Sequence, residues 1–306
     1  MFKSLASESK LLKISVLVAL FFAILGVVWG KLVSSQLILF DGLYSLVSVM
    51  LSLLSLLVAQ YIKKNDTKRF PYGKEMLEPV VIIIKYAVIL ILCIVTVITA
   101  IESLLSGGRE TSVGQALIFA VVNTIGCVGV YFLLNKNKDR SGFIQAEANQ
   151  WKMDTLISGA VLLGFFTAVI ISFTSYQFLI PYVDPLMVLI VAGYFIKVPI
   201  VEITRAFREV LEMSPDQVIE TNFKKVVNSI ETRYQINESI LRIAKVGNKL
   251  FIEIDFILNP QSKIVTIADQ DKVREEIIQQ TKGLVYKKWL TVSFTNDKRW
   301  AQKDLA

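Results

Sequence analysis

Long apolar segments recur along the first two thirds of the chain. Three of them contain no charged side chain: Ile14–Gly30, Ser112–Asn135 and Thr155–Val183. An α-helix needs about 17 to 25 apolar residues to cross a bilayer, so each segment is long enough. Three further apolar segments, shorter or interrupted by charges, are Leu32–Tyr61, Met76–Glu102 and Pro185–Val201. The pattern therefore predicts an α-helical membrane protein with six transmembrane helices.

After Val201 charged residues interrupt the apolar pattern of the membrane spans, and the sequence that follows predicts a small α+β domain. Ser214-Pro215-Asp216 is typical of a helix start, and Gly247-Asn248 between two alternating runs is typical of a hairpin. The predicted elements are, in order, helix Pro215–Arg233, strands Ile240–Val246 and Lys249–Leu258, helix Ile267–Thr281 and strand Val285–Thr295. This order predicts a ferredoxin-like α-β-β-α-β domain. The predicted division is residues 1–205 for the membrane domain and 206–306 for the cytoplasmic domain.

Composition and charge agree with a membrane protein. Of 306 residues 54% are hydrophobic, and a mean hydropathy of +0.55 excludes an ordinary soluble protein of this length. The net charge of +7 needs no nucleic-acid partner, because loop 63–74 holds five Lys or Arg and loop 136–140 holds three. The intervening loops hold only Lys31, only Arg109, and none in Ser172–Asp184. This alternation predicts a multi-pass protein of the cell inner (plasma) membrane with both termini cytoplasmic.

Ionisable residues inside the predicted spans are the candidates for function, because a charge in hydrocarbon costs about 3 kcal/mol or more. Asp41 in the second span shares a helical face with the polar residues Tyr44, Ser45, Ser48, Ser52 and Ser55. Asp154 in the fifth span shares a face with Glu147, Gln150 and Ser158. If the two faces meet, they place oxygen donors around one point, from Asp41, Ser45, Gln150 and Asp154. Such a cage would bind a divalent cation.

The two aspartates lie at different distances along their helices from the basic loops on the predicted cytoplasmic side, and this difference constrains the second helix. Asp41 is about 33 Å of straight helix from Lys63, whereas Asp154 is about 21 Å from Arg140, at ~1.5 Å per residue. For both aspartates to share a site, the second helix must extend beyond the bilayer on its cytoplasmic side or tilt strongly.

Structural explanations exist for each of these residues. The serines of the second span are common at membrane helix interfaces and could serve packing alone. Lys85 in the third span could form a buried ion pair with one aspartate, which contributes little net stability. A mixed hypothesis is that Lys85 neutralises one aspartate when the cation is absent and releases it when the cation binds. Cys93 and Cys127 are interpreted as packing residues, since two cysteines inside apolar runs form no disulfide framework.

Several motifs, taken together, resemble the cation diffusion facilitator family over nearly the whole chain. They are Phe40-Asp41-Gly42-Leu43-Tyr44-Ser45, Arg69-Phe70-Pro71-Tyr72-Gly73-Lys74-Glu75, Gln150-Trp151-Lys152-Met153-Asp154 with Ser158, and Asp184-Pro185. The resemblance implies a bilayer-embedded transporter that forms a homodimer through its cytoplasmic domain and exchanges a divalent metal for protons. It also implies a transport site made of Asp41 with Ser45 and Gln150 with Asp154.

The chain departs from the family pattern in the residues that would bind metal. Ser45 stands where an acid is common, Gln150 where His is common, and Tyr72 where many zinc-type members have His; the whole chain contains no histidine. An all-oxygen donor set favours manganese, magnesium or ferrous iron over zinc. Without histidine, protons would load onto Asp41 or Asp154. The metal is expected as substrate, and no resident cofactor is predicted.

Other functions remain open from the sequence. The protein could be a non-transporting membrane sensor or scaffold with a degenerate site, or it could carry another cation, such as sodium or an organic amine, with Lys85 as the competing charge. An enzyme is not predicted, because no nucleophile-base pair and no phosphate-binding glycine loop is present. A regulatory metal in the cytoplasmic domain would use the acids Glu253, Asp255, Asp269 and Asp271, for which solvated surface is the favoured interpretation.

Overall fold

The computed structural model describes residues 2–64, 66–137, 142–284 and 286–302. The chain forms two compact units: Met1–Leu56 with Ile84–Glu202, and Leu57–Ile83 with Ile203–Ala306. The predicted division at residue 205 stays a prediction. The second unit also includes Leu57–Ile83, which comprises the end of α2, the loop that follows it and the start of α3.

Helices make up the first two thirds of the chain. They are α1 Phe2–Leu32, α2 Gln36–Lys63, α3 Leu77–Leu105, α4 Val113–Asn135, α5 Gly142–Ser172, α6 Ile180–Phe195 and α7 Lys197–Val210. Within the described residues five segments are long and apolar enough to cross a membrane, namely Ile14–Leu32, Leu77–Leu105, Val113–Asn135, Asp154–Ser172 and Gln177–Val210. Gln36–Leu51 in α2 is a shorter apolar helical segment. The prediction of an α-helical membrane protein is confirmed.

The outer surface of these helices is strongly apolar. Leu17, Ile91 and Leu163 expose 65%, 61% and 66% of their side chains. Soluble proteins rarely expose so many large apolar residues, whereas lipid favours them. The buried core includes Leu37, Phe119, Phe165 and Val188, which α2, α4, α5 and α6 contribute.

Glycines allow α1 and α2 to approach very closely. A Cβ atom on Gly30 would overlap the backbone of Leu39, and a Cβ atom on Gly42 would overlap the backbone of Val27. Gly26 and Gly30 stand four residues apart, the small-residue spacing that permits close packing of membrane helices. Gly42 directly follows Asp41, so this crossing fixes the position of α2 next to the candidate residue.

The N-terminus of α2 is held by an aspartate from another helix. Asp184 of α6 is 3% exposed, and its carboxylate accepts hydrogen bonds from Ser35 Oγ (2.6 Å), Gln36 N (2.9 Å) and Leu37 N (3.4 Å). The first N–H groups of a helix have no partner within the helix, and the positive end of the helix dipole attracts a carboxylate. Asp184 therefore anchors the helix that carries Asp41.

The helix α2 contributes residues to both units. It runs without interruption to Lys63, and from Leu57 onwards it belongs to the second unit. That this helix extends beyond the bilayer or tilts strongly stays a prediction.

The second unit contains a small mixed sheet. Its elements are α8 Gln217–Tyr234, β1 Glu238–Val246, β2 Lys249–Ile257, α9 Ile267–Gln280, β3 Lys287–Thr295 and α10 Lys298–Gln302. The strand order is β1-β2-β3, with β1 antiparallel and β3 parallel to β2. Gly247 has φ +55° in the predicted hairpin turn, a conformation that favours glycine. The α-β-β-α-β order is confirmed, although the start predicted for β3, Val285, lies outside the described residues.

Gly42→Ala tests the importance of the α1–α2 crossing. The added methyl group overlaps the backbone of α1, so we expect the free energy of unfolding to fall by about 1–3 kcal/mol. The matched control is Gly129→Ala in α4, where an added Cβ atom meets nothing within 4 Å. Thermal unfolding of the purified full-length protein measures both. Equal unfolding temperatures for the two variants would show that the crossing tolerates a larger residue.

Candidate metal site in the membrane domain

A small polar cavity lies inside the first unit. Its volume is about 50 Å³, and its polar lining comes from α2, α4 and α5. The lining residues with polar or aromatic side chains are Phe22, Asp41, Tyr44, Ser45, Ser48, Asn123, Cys127, Trp151, Asp154 and Ser158. One water occupies roughly 10–15 Å³ of such a volume, so the cavity has room for an ion with a few waters.

Three of the four predicted ligand residues line this cavity. Asp41 and Ser45 come from α2, and Asp154 comes from α5. The faces of the second and fifth helices therefore meet as the sequence pattern suggested. The side chains of the fourth predicted ligand, Gln150, and of the accessory candidate Glu147 lie outside the described residues, as do those of Ser52 and Ser55. That these residues bind metal stays a prediction.

An asparagine from α4 connects the two acidic helices. Asn123 Nδ2 lies 3.3 Å from Asp41 Oδ2 and 3.3 Å from Ser158 Oγ, in hydrogen-bonding geometry with both. Ser158 Oγ in turn donates to the carbonyl oxygen of Asp154 at 2.8 Å. Sequence reasoning missed Asn123, and the available signal was an amide in the middle of an uncharged span. Its hydrogen bond orients the Asp41 carboxylate within the cavity.

Two further cavity residues have structural contacts. Trp151 donates from Nε1 to Ser15 Oγ of α1 at 2.7 Å, which fixes α5 about one turn before Asp154. Cys127 Sγ lies 3.4 Å from Ser158 Oγ and also belongs to an apolar cluster with Leu134 and Trp151. The interpretation of Cys127 as a packing residue is therefore incomplete, since its thiol also faces the cavity.

A second, larger cavity shares part of its wall with the first. Its volume is about 630 Å³. Tyr44, Ser48 and Asp154 line both cavities, and Lys85 lines only the larger one. The structure thus brings Lys85 and Asp154 to the same cavity.

The protein-family model for the cation efflux transmembrane domain matches residues 12–211 of the sequence. The chain belongs to the cation efflux family. It is a multi-pass membrane protein that transports metal cations, and the resemblance to cation diffusion facilitators is confirmed. Proteins of this family are transporters and not enzymes. No curated protein sequence matches this cation efflux protein.

The donors at the site of this cation efflux protein are few. In the described parts of the chain no three His, Cys, Asp or Glu side chains form a group that could hold a metal by themselves. The other possible donors among the described lining residues are neutral, and they include the oxygen atoms of Ser45 and Asn123 and the thiol of Cys127. Hydroxyl, amide and water oxygens are ordinary ligands of hard cations.

The acids of the cytoplasmic domain have other partners in this cation efflux protein. Asp255 Oδ2 lies 2.8 Å from Arg242 Nη1 in a salt bridge. Asp269 forms a capping box with Thr266 at the start of α9, and the side-chain hydrogen bond from Thr266 lowers the pKa of Asp269 to about 2. A regulatory metal there stays untested, and these contacts agree with structural roles.

Asn123→Leu tests whether the Asp41 carboxylate depends on this amide. Leucine keeps the volume but removes the hydrogen-bond donor, so we expect metal flux to fall about tenfold, equivalent to ~1.4 kcal/mol. The matched control is Thr124→Val on the same helix, because within the described residues the buried Thr124 Oγ1 has no hydrogen-bond partner. Proteoliposome flux measures both variants. A loss of the same size in Thr124→Val would remove the specific role of Asn123.

Proposed function

We propose that this transporter exports a hard divalent cation, manganese, magnesium or ferrous iron in preference to zinc, in exchange for protons. The ion binds between Asp41 of α2 and Asp154 of α5, with Ser45 and Gln150 as the neutral ligands. One observation carries the proposal: two acidic side chains from different membrane helices line the same small polar cavity in a chain without histidine.

The donor chemistry of the cavity supports the choice of ion. Asp41, Ser45, Asn123 and Asp154 offer oxygen atoms, and Cys127 is the one sulfur donor among the described lining residues. Zinc prefers several nitrogen or sulfur ligands in a tetrahedral arrangement, whereas manganese, magnesium and iron(II) accept carboxylate, amide, hydroxyl and water oxygens. A single thiol beside seven oxygen-bearing side chains among the described lining residues favours the harder ions.

Charge balance supports proton exchange. An unneutralised charge within hydrocarbon is unfavourable, so the pair of carboxylates needs compensation in every state of the transport cycle. One divalent ion neutralises both carboxylates. After the ion leaves, two protons on Asp41 and Asp154 restore the same net charge, and histidine is not required. We therefore propose an antiport of one divalent ion against two protons.

The larger cavity gives the site a route for ion access. It reaches Asp154 from a space about thirteen times the volume of the small cavity. In an alternating-access cycle it would form the open side, with the small cavity holding the bound ion. Lys85 lies on this route and acts as the internal positive charge that compensates Asp154 in the interval after its proton has left and before the ion binds.

We further propose the assembly and orientation that the family pattern implies. The protein forms a homodimer through its cytoplasmic domain, in the cell inner (plasma) membrane, with both termini cytoplasmic. The lysine-rich loop 63–74 supports this orientation, since cytoplasmic loops carry an excess of Lys and Arg. Lys138 and Arg140 of the second basic loop lie outside the described residues.

Asp41→Asn and Asp154→Asn test the site itself. Each keeps the shape but removes a negative charge, so we expect flux of Mn²⁺, Mg²⁺ and Fe²⁺ in proteoliposomes to fall at least about a hundredfold, equivalent to ~2.7 kcal/mol. The matched control is Glu102→Gln, an exposed acid at the end of α3. Unchanged flux in either aspartate variant contradicts the site. Zinc flux above manganese flux in the wild type contradicts the ion preference, and absence of flux for every metal would favour the sensor or scaffold hypothesis.

Lys85→Gln tests the internal positive charge. A cavity of about 630 Å³ is roughly 10 Å across, and over that distance a divalent ion and an ammonium repel by ~0.8 kcal/mol even in water. Removing the ammonium should therefore lower the KM for the divalent ion at least about fourfold and change the pH dependence of transport, whereas Lys85→Arg should keep both near wild type. The matched control is Lys152→Gln, an exposed lysine of α5. Unchanged KM and pH dependence in Lys85→Gln would exclude this role.

A further inference from the structure

A third cavity lies entirely within the second unit, between the loop that follows α2 and the strands β2 and β3. Its volume is about 290 Å³, and aromatic and apolar walls are formed by Ile62, Phe70 and Trp289. The charged residues that line it are Lys64, Asp66, Lys74, Glu75, Lys249 and Lys287. Four lysines against two acids make the cavity cationic.

Two of these lysines are buried, which is unusual for a charged side chain. Lys74 is 5% exposed and donates to the carbonyl oxygen of Lys64 at 3.0 Å. Its ammonium lies 4.0 Å from the ring centre of Tyr61 and 5.2 Å from that of Phe70. These contacts orient the ammonium at the cavity wall, and an ammonium carries three N–H donors.

Lys249 is fixed in a similar way from the opposite wall. It is 8% exposed and donates to the carbonyl oxygen of Tyr72 at 2.9 Å. Its ammonium lies 4.9 Å from the ring centre of Phe251 and 4.7 Å from that of Trp289. A salt bridge with Glu75, at 3.7 Å from Lys249 Nζ, compensates part of this charge, but four lysines against two acids still leave the cavity with a net positive charge that attracts an anion.

Of the two acids that line the cavity, one has a carboxylate oxygen that can accept a hydrogen bond from a ligand. Asp66 accepts a hydrogen bond from Arg69 N at 3.3 Å and thereby stabilises its own loop. Glu75 Oε2 is buried, lies 3.7 Å from Lys249 Nζ, and has no hydrogen bond within the described part of the chain. The cavity therefore presents several cationic donors together with one acceptor. This combination fits a phosphate group that carries a hydroxyl or ammonium neighbour.

The position of this cavity along the chain favours a lipid as the source of the anion. Glu75 stands two residues before α3, whose residues Leu77–Leu105 are long and apolar enough to cross a membrane. Tyr72 and Trp289 are exposed and their ring centres lie 5.8 Å apart. Tyrosine and tryptophan are enriched at the headgroup level, and basic side chains there attract anionic lipids by about 1 kcal/mol each.

We propose that this cavity binds a phosphate group, presented by the headgroup of an anionic phospholipid such as phosphatidylglycerol or as free phosphate. The phosphate contacts the ammonium groups of Lys64, Lys74, Lys249 and Lys287, and the headgroup hydroxyl donates to Glu75. Occupancy ties the loop between α2 and α3 to β2 and β3 of the same unit. The proposal is independent of whether Asp41 and Asp154 carry a metal.

Native mass spectrometry of the purified full-length protein tests the cavity. The protein is exchanged into detergent with added phosphatidylglycerol, phosphatidylcholine or inorganic phosphate, and the retained molecules per chain are counted. The test variant is the double substitution Lys64→Gln with Lys287→Gln, which removes two exposed lysines at the cavity. The matched control is Lys225→Gln with Lys282→Gln, which removes two exposed lysines elsewhere in the same unit.

We expect the wild type and the control variant to retain one phosphatidylglycerol per chain with at least about tenfold lower apparent Kd than the test variant, and phosphatidylcholine to be retained weakly. Displacement of the lipid by millimolar inorganic phosphate would identify free phosphate as a second source of the same ligand, and retention against phosphate would assign the site to the lipid. Equal retention by both double variants, or equal retention of phosphatidylcholine, would overturn the proposal. Because the readout is lipid retention, a failure here leaves the flux experiments on Asp41 and Asp154 unaffected.

Discussion

The arrangement of the membrane domain depends on one constraint, namely that two carboxylates must be accommodated away from water. A charged side chain inside a membrane protein needs a partner ion, a proton or a set of hydrogen bonds, because hydrocarbon cannot solvate it. Asp41 and Asp154 meet this constraint by lining one small polar cavity with hydroxyl and amide groups. In the proposed function a cation occupies this cavity.

The surrounding packing keeps Asp41 and Asp154 in position. The close α1–α2 crossing depends on Gly42, and the carboxylate of Asp184 holds the first N–H groups of α2. Asn123 reaches Asp41 from α4 and is joined through its Ser158 contact to the backbone of Asp154. The glycine crossing and the helix cap set the depth and rotation of α2, so a change in either is transmitted to the position of Asp41.

The sequence predicted the helices and strands more completely than it predicted the side-chain contacts between them. The spans follow from uninterrupted hydropathy, and the hairpin follows from Gly247, because both signals are local. The break between α6 and α7 at Ile196 was not predicted, although Pro199 was an available signal, because a proline removes a backbone hydrogen bond to the preceding turn and clashes with its carbonyl. Asn123 and the cap by Asp184 were missed as well. Their roles depend on partners 82 and about 148 residues away, which periodicity along one helix cannot reveal.

Direct detection of a bound ion tests the central claim most sharply. Pulsed electron paramagnetic resonance on Mn²⁺ added to the full-length protein reports both how many ions bind and which atoms coordinate them. We expect one bound Mn²⁺ per chain with oxygen ligands only, and loss of that ion in both Asp41→Asn and Asp154→Asn. Binding that persists in both variants would contradict it, and so would nitrogen or sulfur coordination in the wild type.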